Sequence, residues 1–179
     1  DYNPGGKLTV TFPKIVGQLP ASFPFKPGAK RLMVSDLVGK ETDSRISGLL
    51  YPFGHGLSYT TFQYTDLKVT PDRAKEGDPI KVVCKVTNTG KHRGDEVIQL
   101  YLHDVVSTVT TYEKVLRGFE RINLNPGETK EVVFTIEPLK HLTLLDRDMH
   151  RVVEPGAFQV MVGSSSEDIR LTGKFEITP

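Results

Sequence analysis

The chain has 179 residues and a mass of 19.9 kDa, which is enough for one full domain with an extension. Its 23 basic and 22 acidic residues are spread along the whole chain and give a formal net charge of +1. Because no basic block stands out and no apolar run approaches the roughly 20 residues that span a bilayer, we expect neither nucleic acid nor a membrane as a partner.

The first part of the chain predicts one strand followed by a long connection. Residues 7–12 alternate apolar and polar side chains, with Leu8, Val10 and Phe12 on one face. A single strand cannot satisfy its own hydrogen bonds, so we expect it to pair with a sheet encoded upstream, in a longer protein of which this chain is a piece. From residue 20 to residue 48 the composition turns to Pro, Gly and charge, which is typical of a connection that lies over a surface.

From residue 62 onward, short alternating runs are separated by turn residues, which predicts half-buried antiparallel strands. The runs 62–69 and 115–124 change phase midway, and a β-bulge in each would restore the alternation. Residues 139–145 predict a single helical turn or an irregular connection. About seven strands with turns at this spacing predict a two-sheet sandwich. The side chains on the apolar face of the regular runs are Ile80, Val82, Cys84, Val86, Ile98, Leu100, Leu102, Val132, Phe134, Ile136, Phe158, Val160, Val162, Ile169, Leu171, Phe175 and Ile177.

The chain has one cysteine, Cys84, so an intrachain disulfide is excluded. Cys84 alternates in step with Ile80, Val82 and Val86, which places its thiol on the apolar face of a strand. We therefore expect a buried thiol that packs as a small apolar side chain, in preference to a nucleophile or a metal ligand.

Two segments of the sequence resemble glycoside hydrolase family 3. Residues 1–13, DYNPGGKLTVTFP, are similar to the end of that family's second domain, and residues 50–62, LYPFGHGLSYTTF, are similar to the beginning of its third. Shorter motifs follow in the family's order, so that the resemblance covers essentially the whole chain. These motifs are VTNTG at 86–90, GDEV at 94–97, QLYL at 99–102, LRGF at 116–119, PGE at 126–128, VEPG at 153–156 and VGSSS at 162–166.

The resemblance implies an all-β chain with an immunoglobulin or fibronectin type III-like antiparallel β-sandwich. It implies three parts: residues 1–25 as the terminal strand and loop of an upstream α/β domain, residues 26–58 as a linker, and residues 59–179 as the fibronectin type III-like domain. The parent polypeptide would be a β-glucosidase or a related β-glycosidase that acts on oligosaccharides by a retaining mechanism. A periplasmic or secreted location is typical of such relatives.

A retaining glycosidase needs two carboxyl groups about 5–5.5 Å apart across the glycosidic bond. In the family that this chain resembles, both carboxylates belong to sequence that precedes the part matched here. We therefore expect no catalytic residue in the chain and no activity of the chain alone. Its expected role is that of a structural and docking domain, whose partners are the upstream catalytic domains of the same polypeptide and, through them, the oligosaccharide.

Four side chains are candidates for the rim of the parent's substrate cleft. Tyr51, Phe53 and His55 lie in the glycine-containing run that resembles the family most closely, and Tyr112 lies in the long loop of residues 105–114. Aromatic faces stack on sugars, and long loops on a rigid scaffold concentrate function. The alternative is that the first three residues fill the interface between the sandwich and the α/β domain.

The remaining titratable residues predict no catalytic or metal site. Three acidic pairs fall at turns or strand ends, where solvated carboxylates are common, and the histidines lack the spacing of metal ligands. We expect neither a metal nor a cofactor. The acidic pairs are Asp95 with Glu96, Asp146 with Asp148, and Glu167 with Asp168; the histidines are His55, His92, His103, His141 and His150.

Two other kinds of protein compete with a docking domain. An autonomous carbohydrate-binding module would show a planar stripe of aromatic side chains, but the chain has no Trp, and its 6 Tyr and 9 Phe mostly fall at core positions or near turns. A cell-surface adhesion domain of immunoglobulin type is disfavoured by the family-specific run at 51–62. Oligosaccharide titration separates the module from the docking domain.

Overall fold

The computed structural model describes residues 2–16, 22–27 and 48–179, so the greater part of the expected connection at 20–48 lies outside the described residues. The regular secondary structure of the described residues is almost entirely strand, and the expected all-β sandwich is confirmed. The strands are β1 (Phe62–Thr70), β2 (Arg73–Ala74), β3 (Ile80–Asn88), β4 (Gly94–Asp104), β5 (Val115–Leu124), β6 (Thr129–Ile136), β7 (Leu144–Leu145), β8 (Arg151–Val152), β9 (Gly156–Gly163) and β10 (Ile169–Ile177), with a short helix α1 (Pro138–His141) after β6.

The strands form two main sheets. One contains β1, β3 and β6 in the order β1-β3-β6, and the other has the order β2-β10-β9-β4-β5, while β7 and β8 form a separate two-stranded ribbon. Neighbouring strands are antiparallel except β2 and β10, which are parallel. The apolar faces of the two sheets pack on each other, because a half-buried sheet must cover one face.

The core of the sandwich consists of the alternating apolar residues that the sequence places on one face of each strand. Ile80, Val82, Cys84 and Val86 of β3 are all fully buried, and they pack with residues of β4, β6, β9 and β10. Burial raises the pKa of the Cys84 thiol to about 11, so the thiol stays protonated at neutral pH. The predicted buried position of the single cysteine is confirmed.

Both predicted β-bulges are present. In β1, Asp66 and Leu67 lie opposite Cys84 alone, and Asp66 adopts a left-handed φ of 56°. In β5, Leu100 of the neighbouring strand pairs with Gly118, so that Arg117 is the additional residue of the bulge. Each additional residue shifts the alternation by one position, which returns the following apolar side chains to the core face.

The prediction of a strand at residues 7–12 is wrong. Only Phe12 makes a β-bridge, to Tyr51, and residues 9–10 bend. The backbone N–H of Leu8 donates to the carbonyl of His55 at 2.9 Å, and the N–H of Gly54 donates to the carbonyl of Leu8 at 2.8 Å. The segment therefore pairs at intervals, at Leu8 and Phe12, with a loop of the same chain. Its pairing with an upstream sheet stays a prediction.

Strand β4 is buried on both faces, whereas its alternation predicts a half-buried strand. Gln99 is 3% exposed and Tyr101 is 0% exposed, although both lie on the face opposite to the core residues Ile98 and Leu100. The reason is that residues 2–12, Phe23 and the loop of residues 50–58 cover this outer face. The five-stranded sheet is consequently the middle layer of three.

The predicted single helical turn within residues 139–145 is present as α1. The helix is a single turn, in which the N–H of Leu142 donates to the carbonyl of Pro138 at 2.8 Å. No helix among the described residues is long and apolar enough to cross a membrane.

Candidate functional site

The loop of residues 50–58, named here the aromatic-glycine loop, lies between the N-terminal segment (residues 2–12) and the outer face of the five-stranded sheet. Leu50 donates its N–H to the carbonyl of Phe12 at 2.9 Å, and Phe12 donates to the carbonyl of Tyr51 at 2.8 Å. On the other side, the N–H of Ser166 donates to the carbonyl of Phe53 at 2.9 Å. The loop is thus bonded to both layers that enclose it.

Gly54 makes the close approach of this loop to β4 possible. Its φ is +80°, and a Cβ at this position would overlap the side-chain oxygen of Gln99. The Gln99 amide nitrogen donates to the carbonyl of Gly54 at 3.1 Å and to that of Ser164 at 2.6 Å. The buried amide therefore joins the aromatic-glycine loop to the loop that precedes β10, and only glycine fits above it.

Phe53 fills an internal aromatic cluster. Its ring stacks on Phe23 with centroids 4.5 Å apart and an interplanar angle of 18°, and Phe23 meets Tyr101 edge to face at 5.7 Å. The Tyr101 hydroxyl donates to Gln99, and burial raises the Tyr101 pKa far above the usual value of a tyrosine. Phe53 therefore packs against another segment of the same chain.

Tyr51 and His55 form a second aromatic group, on the outer side of the loop. Their rings stack with centroids 5.0 Å apart and an interplanar angle of 21°, and Phe12 contacts Tyr51 edge to face at 6.2 Å. Tyr51 remains 42% exposed. The structure thus brings two of the four rim candidates together on an accessible surface.

Tyr112, the fourth candidate, lies elsewhere. It lines a cleft, named here the Tyr112 cleft, between residues 109–112 and residues 141–145, with a volume of about 390 Å³. Its ring is 42% exposed, and Nζ of Lys26 lies 5.9 Å from the ring centroid. The sequence pattern gave no reason to place Lys26 here, because it precedes Tyr112 by more than eighty positions.

Glu96 contradicts the prediction that the acidic pairs are solvated. Its side chain is 5% exposed in the middle layer, where it accepts a hydrogen bond from the Tyr64 hydroxyl at 2.9 Å and faces Nζ of Lys7 at 3.5 Å. Glu96 shares the parity of the core residues Ile98 and Leu100, and this signal in the sequence could have identified it. Burial, followed by the charge of Glu96, raises the pKa of Tyr64 strongly.

The other carboxylates of the two predicted pairs near this site, Asp95, Glu167 and Asp168, each form an ion pair with a lysine or an arginine. Asp95 is half-buried, with its side chain 13% exposed, and hydrogen bonds from Asn123 and then Arg121 lower its pKa. Asp168 is paired with Arg170 at 2.8 Å, and the hydrogen bond from Arg170 is the largest cause of its lowered pKa. Glu167 is exposed, as predicted, and forms an ion pair with a lysine of the 105–114 loop.

The third acidic pair lies in the turn between β7 and β8. Asp146 accepts backbone hydrogen bonds from Asp148 at 2.9 Å and from His150 at 2.8 Å, and Asp148 is exposed. This is a turn motif in which the carboxylate satisfies the backbone. The predicted structural role of this pair agrees with its contacts.

Lys7, Glu96, Asp168 and Arg170 all line one polar cavity of about 320 Å³ under the aromatic-glycine loop. The guanidinium of Arg170 also lies 4.7 Å from the ring centroid of Tyr64. Each carboxylate of the cavity faces a cation, Glu96 facing Lys7 and Asp168 facing Arg170. Among the described residues, no three His, Cys, Asp or Glu side chains are grouped closely enough to hold a metal ion.

Comparison with known proteins identifies the sandwich. Residues 96–166 match the model of the fibronectin type III-like domain. A beta-xylosidase of Formosa agariphila is 44% identical over 170 residues, which are 93% of this chain and 22% of that protein. The periplasmic beta-glucosidase of Salmonella typhimurium is 38% identical over 184 residues, which are 99% of this chain and 23% of that protein. Residues 96–166 therefore form a fibronectin type III-like domain, and the whole chain is similar to one segment of β-xylosidases and β-glucosidases.

A solved structure extends the similarity to three dimensions. The β-glucosidase from Listeria innocua in complex with glucose superposes with a TM-score of 0.86 and 31% identity, over 99% of this chain and 25% of that chain. The match therefore includes the N-terminal segment and the aromatic-glycine loop as well as the fibronectin type III-like domain. The chain spans about a quarter of the length of the relatives that it matches.

Proposed function

We propose that this chain is a non-catalytic structural and docking region of a β-glucosidase-type enzyme, whose catalytic domains belong to the same polypeptide. The observation that carries the proposal is the apolar surface left on the outer side of the third layer. This surface is formed by exposed side chains of residues 10–16 and of the aromatic-glycine loop, two stretches that the Phe12–Tyr51 bridge joins, and exposed apolar side chains grouped in this way mark an interaction site. Its exposed apolar residues are Val10, Phe12, Ile15, Val16, Leu50 and Tyr51.

The proposed partner is the upstream α/β domain and the catalytic barrel of a longer chain. The division into residues 1–25, 26–58 and 59–179 is part of this proposal. In it, residues 2–12 would bond to the sandwich on one side and to the upstream domain on the other. The buried contacts of Lys7 and Gly54 support the sandwich side of this arrangement.

The activity proposed for the whole polypeptide is hydrolysis of terminal β-glycosidic bonds of oligosaccharides with retention of configuration. The support is that one relative is named a beta-xylosidase and another a periplasmic beta-glucosidase. The second name also supports a periplasmic or secreted location. No nucleic acid takes part in this proposal, since the chain carries a net charge of only +1.

Tyr51 and His55 are proposed to lie near the substrate cleft of the assembled enzyme. Their stacked rings are accessible and border the apolar patch, so a neighbouring domain docked there would bring them to its edge. Phe53 is better explained as packing, because its ring is stacked on Phe23.

Hydrolysis of an aryl β-glucoside tests the proposal. The purified 179-residue chain is expected to show no turnover, whereas the intact periplasmic beta-glucosidase of Salmonella typhimurium serves as the active control. Turnover by the chain that persists in independent preparations, and that disappears in a chain variant such as Glu96→Gln, would refute a non-catalytic role.

A further inference from the structure

The Tyr112 cleft has the size of a small-ligand site. Its volume of about 390 Å³ falls within the range of roughly 300–1,000 Å³ that such sites occupy. Apolar side chains of the sheet form its floor, and the 109–112 and 141–145 segments form its walls. The floor residues are Leu102, Val115 and Phe158.

Polar groups with free hydrogen-bonding capacity line the same cleft. Arg117 makes no ion pair and no hydrogen bond with any residue in the described ranges, and partial burial of its guanidinium lowers its pKa. Asp104 is half-buried and accepts a hydrogen bond from the N–H of Val106. Burial first, and then the nearby carboxylate of Glu154, raise the Asp104 pKa. A donor and an acceptor are therefore both available inside the cleft.

The wall that carries Tyr112 is fixed in place. The N–H of Thr108 donates to the Glu154 carboxylate at 2.9 Å, and the Ser107 hydroxyl donates to the carbonyl of Val109 at 2.7 Å. At the other end of the loop, Lys114 pairs with Glu167 at 3.2 Å, and Glu113 donates its N–H to Phe25 at 3.0 Å. Because the 105–114 loop is held at both ends, binding a ligand against the Tyr112 ring requires little loss of conformational entropy in the loop.

We propose that the Tyr112 cleft binds a pyranose unit of an oligosaccharide, with Tyr112 against the apolar face of the ring, Asp104 accepting from sugar hydroxyls and Arg117 donating to them. A pyranose presents an apolar face of C–H groups bordered by hydroxyls, which matches an aromatic ring flanked by one acceptor and one donor. This site adds one sugar contact to the proposed docking role, whereas an autonomous carbohydrate-binding module would present a planar stripe of aromatic side chains. It rests on the proposed function for the choice of β-linked glucose and xylose oligomers as ligands.

Titration of the 179-residue chain with cellotetraose and with xylotetraose, followed by two-dimensional ¹⁵N NMR, tests the site. At least one of the two is expected to give saturable shifts around residues 104–117 and 141–145, with a Kd on the order of 1 mM. The variant Tyr112→Ala is expected to weaken binding about fivefold to tenfold. Tyr59→Ala removes a tyrosine outside the cleft that is more exposed than Tyr112, at 72% against 42%, and it is expected to leave the affinity unchanged.

Three results would overturn the proposal: no saturable shift with either sugar at about ten times the expected Kd, shifts confined to another surface, or equal losses in Tyr112→Ala and Tyr59→Ala. The NMR spectra of the variants show directly whether they fold, and Arg117→Gln provides a second variant in which no ring is lost. Aryl β-glucoside turnover, measured on the same samples, tests the non-catalytic role. If the chain shows neither binding nor turnover, the saccharide site is overturned and the proposed non-catalytic role stands.

Discussion

Nζ of Lys7 lies 3.5 Å from Oε1 of Glu96, although 89 positions separate the two residues in the chain. Glu96 belongs to the middle layer, and Lys7 belongs to the segment that covers it. The Tyr64 hydroxyl bonds to the same carboxylate from the sandwich side. The pair therefore connects the N-terminal segment to the five-stranded sheet through a buried charge. The same segment is the one proposed to contact the upstream domain.

Replacing Lys7 by methionine should destabilise the chain. The Glu96 carboxylate would then remain buried with Tyr64 as its partner, and a buried charge that loses its counter-ion costs about 2 kcal/mol or more. Glu96→Gln removes the charge but retains a hydrogen-bond acceptor for Tyr64, and in the Lys7→Met background it should restore part of the loss. Urea unfolding of both single variants and of the double variant measures the coupling.

Lys81→Met is the matched control for this cycle, because Lys81 is exposed on β3 and makes no ion pair with the described residues. It should change the free energy of unfolding by less than about 0.5 kcal/mol. If Lys7→Met and Lys81→Met proved equally mild, the pair would make no net contribution to joining the two layers.

Three glycine-to-alanine variants separate backbone strain from steric overlap. Gly54→Ala should cost about 3 kcal/mol or more, because it combines a left-handed φ with overlap of the Gln99 side chain. Gly127 has a φ of +76° with open space around it, so its alanine variant should cost only about 1 kcal/mol. Gly77 has neither feature, and Gly77→Ala should be close to neutral.

Thermal or urea unfolding of the three variants checks this order. An alanine at position 54 that cost no more than one at position 127 would show that Gln99 moves away freely. The buried amide would then not hold the aromatic-glycine loop in place.

Cys84 should be unreactive in the folded chain. Its thiol is fully buried and its pKa is raised to about 11, so the reactive thiolate is both scarce and inaccessible. A disulfide exchange reagent at pH 8 should label Cys84 only as fast as the chain unfolds, and at once in denaturant. Lys81→Cys, which adds a thiol on the exposed face of the same strand, should be labelled immediately without denaturant. Fast labelling of native Cys84 would contradict the packing described for β3.

The alternation of the sequence was sufficient for features that depend on a single strand. Cys84 lies on the core face because its neighbours at two-residue spacing are apolar, and the phase changes at 62–69 and 115–124 indicated both bulges. The family resemblance supplied the sandwich and its place in a larger enzyme. Each of these signals is local in sequence or is carried by contiguous motifs.

The features that the sequence did not predict depend on contacts between distant segments. Gln99 and Tyr101 have the parity of a solvent-facing side, and they are buried because Phe23 and Phe53 cover them from outside the sandwich. Residues 7–12 alternate like a strand, yet their partner is the aromatic-glycine loop some forty positions later. Single-strand periodicity contains no information about such a third layer.

Asp104→Asn should stabilise the chain at neutral pH. Burial and the Glu154 carboxylate raise the Asp104 pKa in the folded chain, opposed by the N–H of Val106 and the charge of His103. A raised pKa means that the folded state favours the protonated acid, so this group's contribution to stability is complete below the unfolded-state value of about 3.9. That contribution is lost as the pH rises through the folded-state pKa. Asparagine remains neutral at every pH and still offers an acceptor to Val106.

The difference in unfolding free energy between Asp104→Asn and the parent chain should therefore be largest near pH 7 and shrink toward pH 3. It should be small, since solvent reaches part of the group. Urea unfolding at several pH values measures this difference, with Asp72→Asn, at an exposed carboxylate that bonds to no described side chain, as the matched control for loss of charge. An Asp104→Asn variant that was less stable than the parent at pH 7, with the gap closing in acid, would show instead that the ionised carboxylate is favoured in the fold. The acceptor assigned to the Tyr112 cleft would then already be engaged by the protein itself.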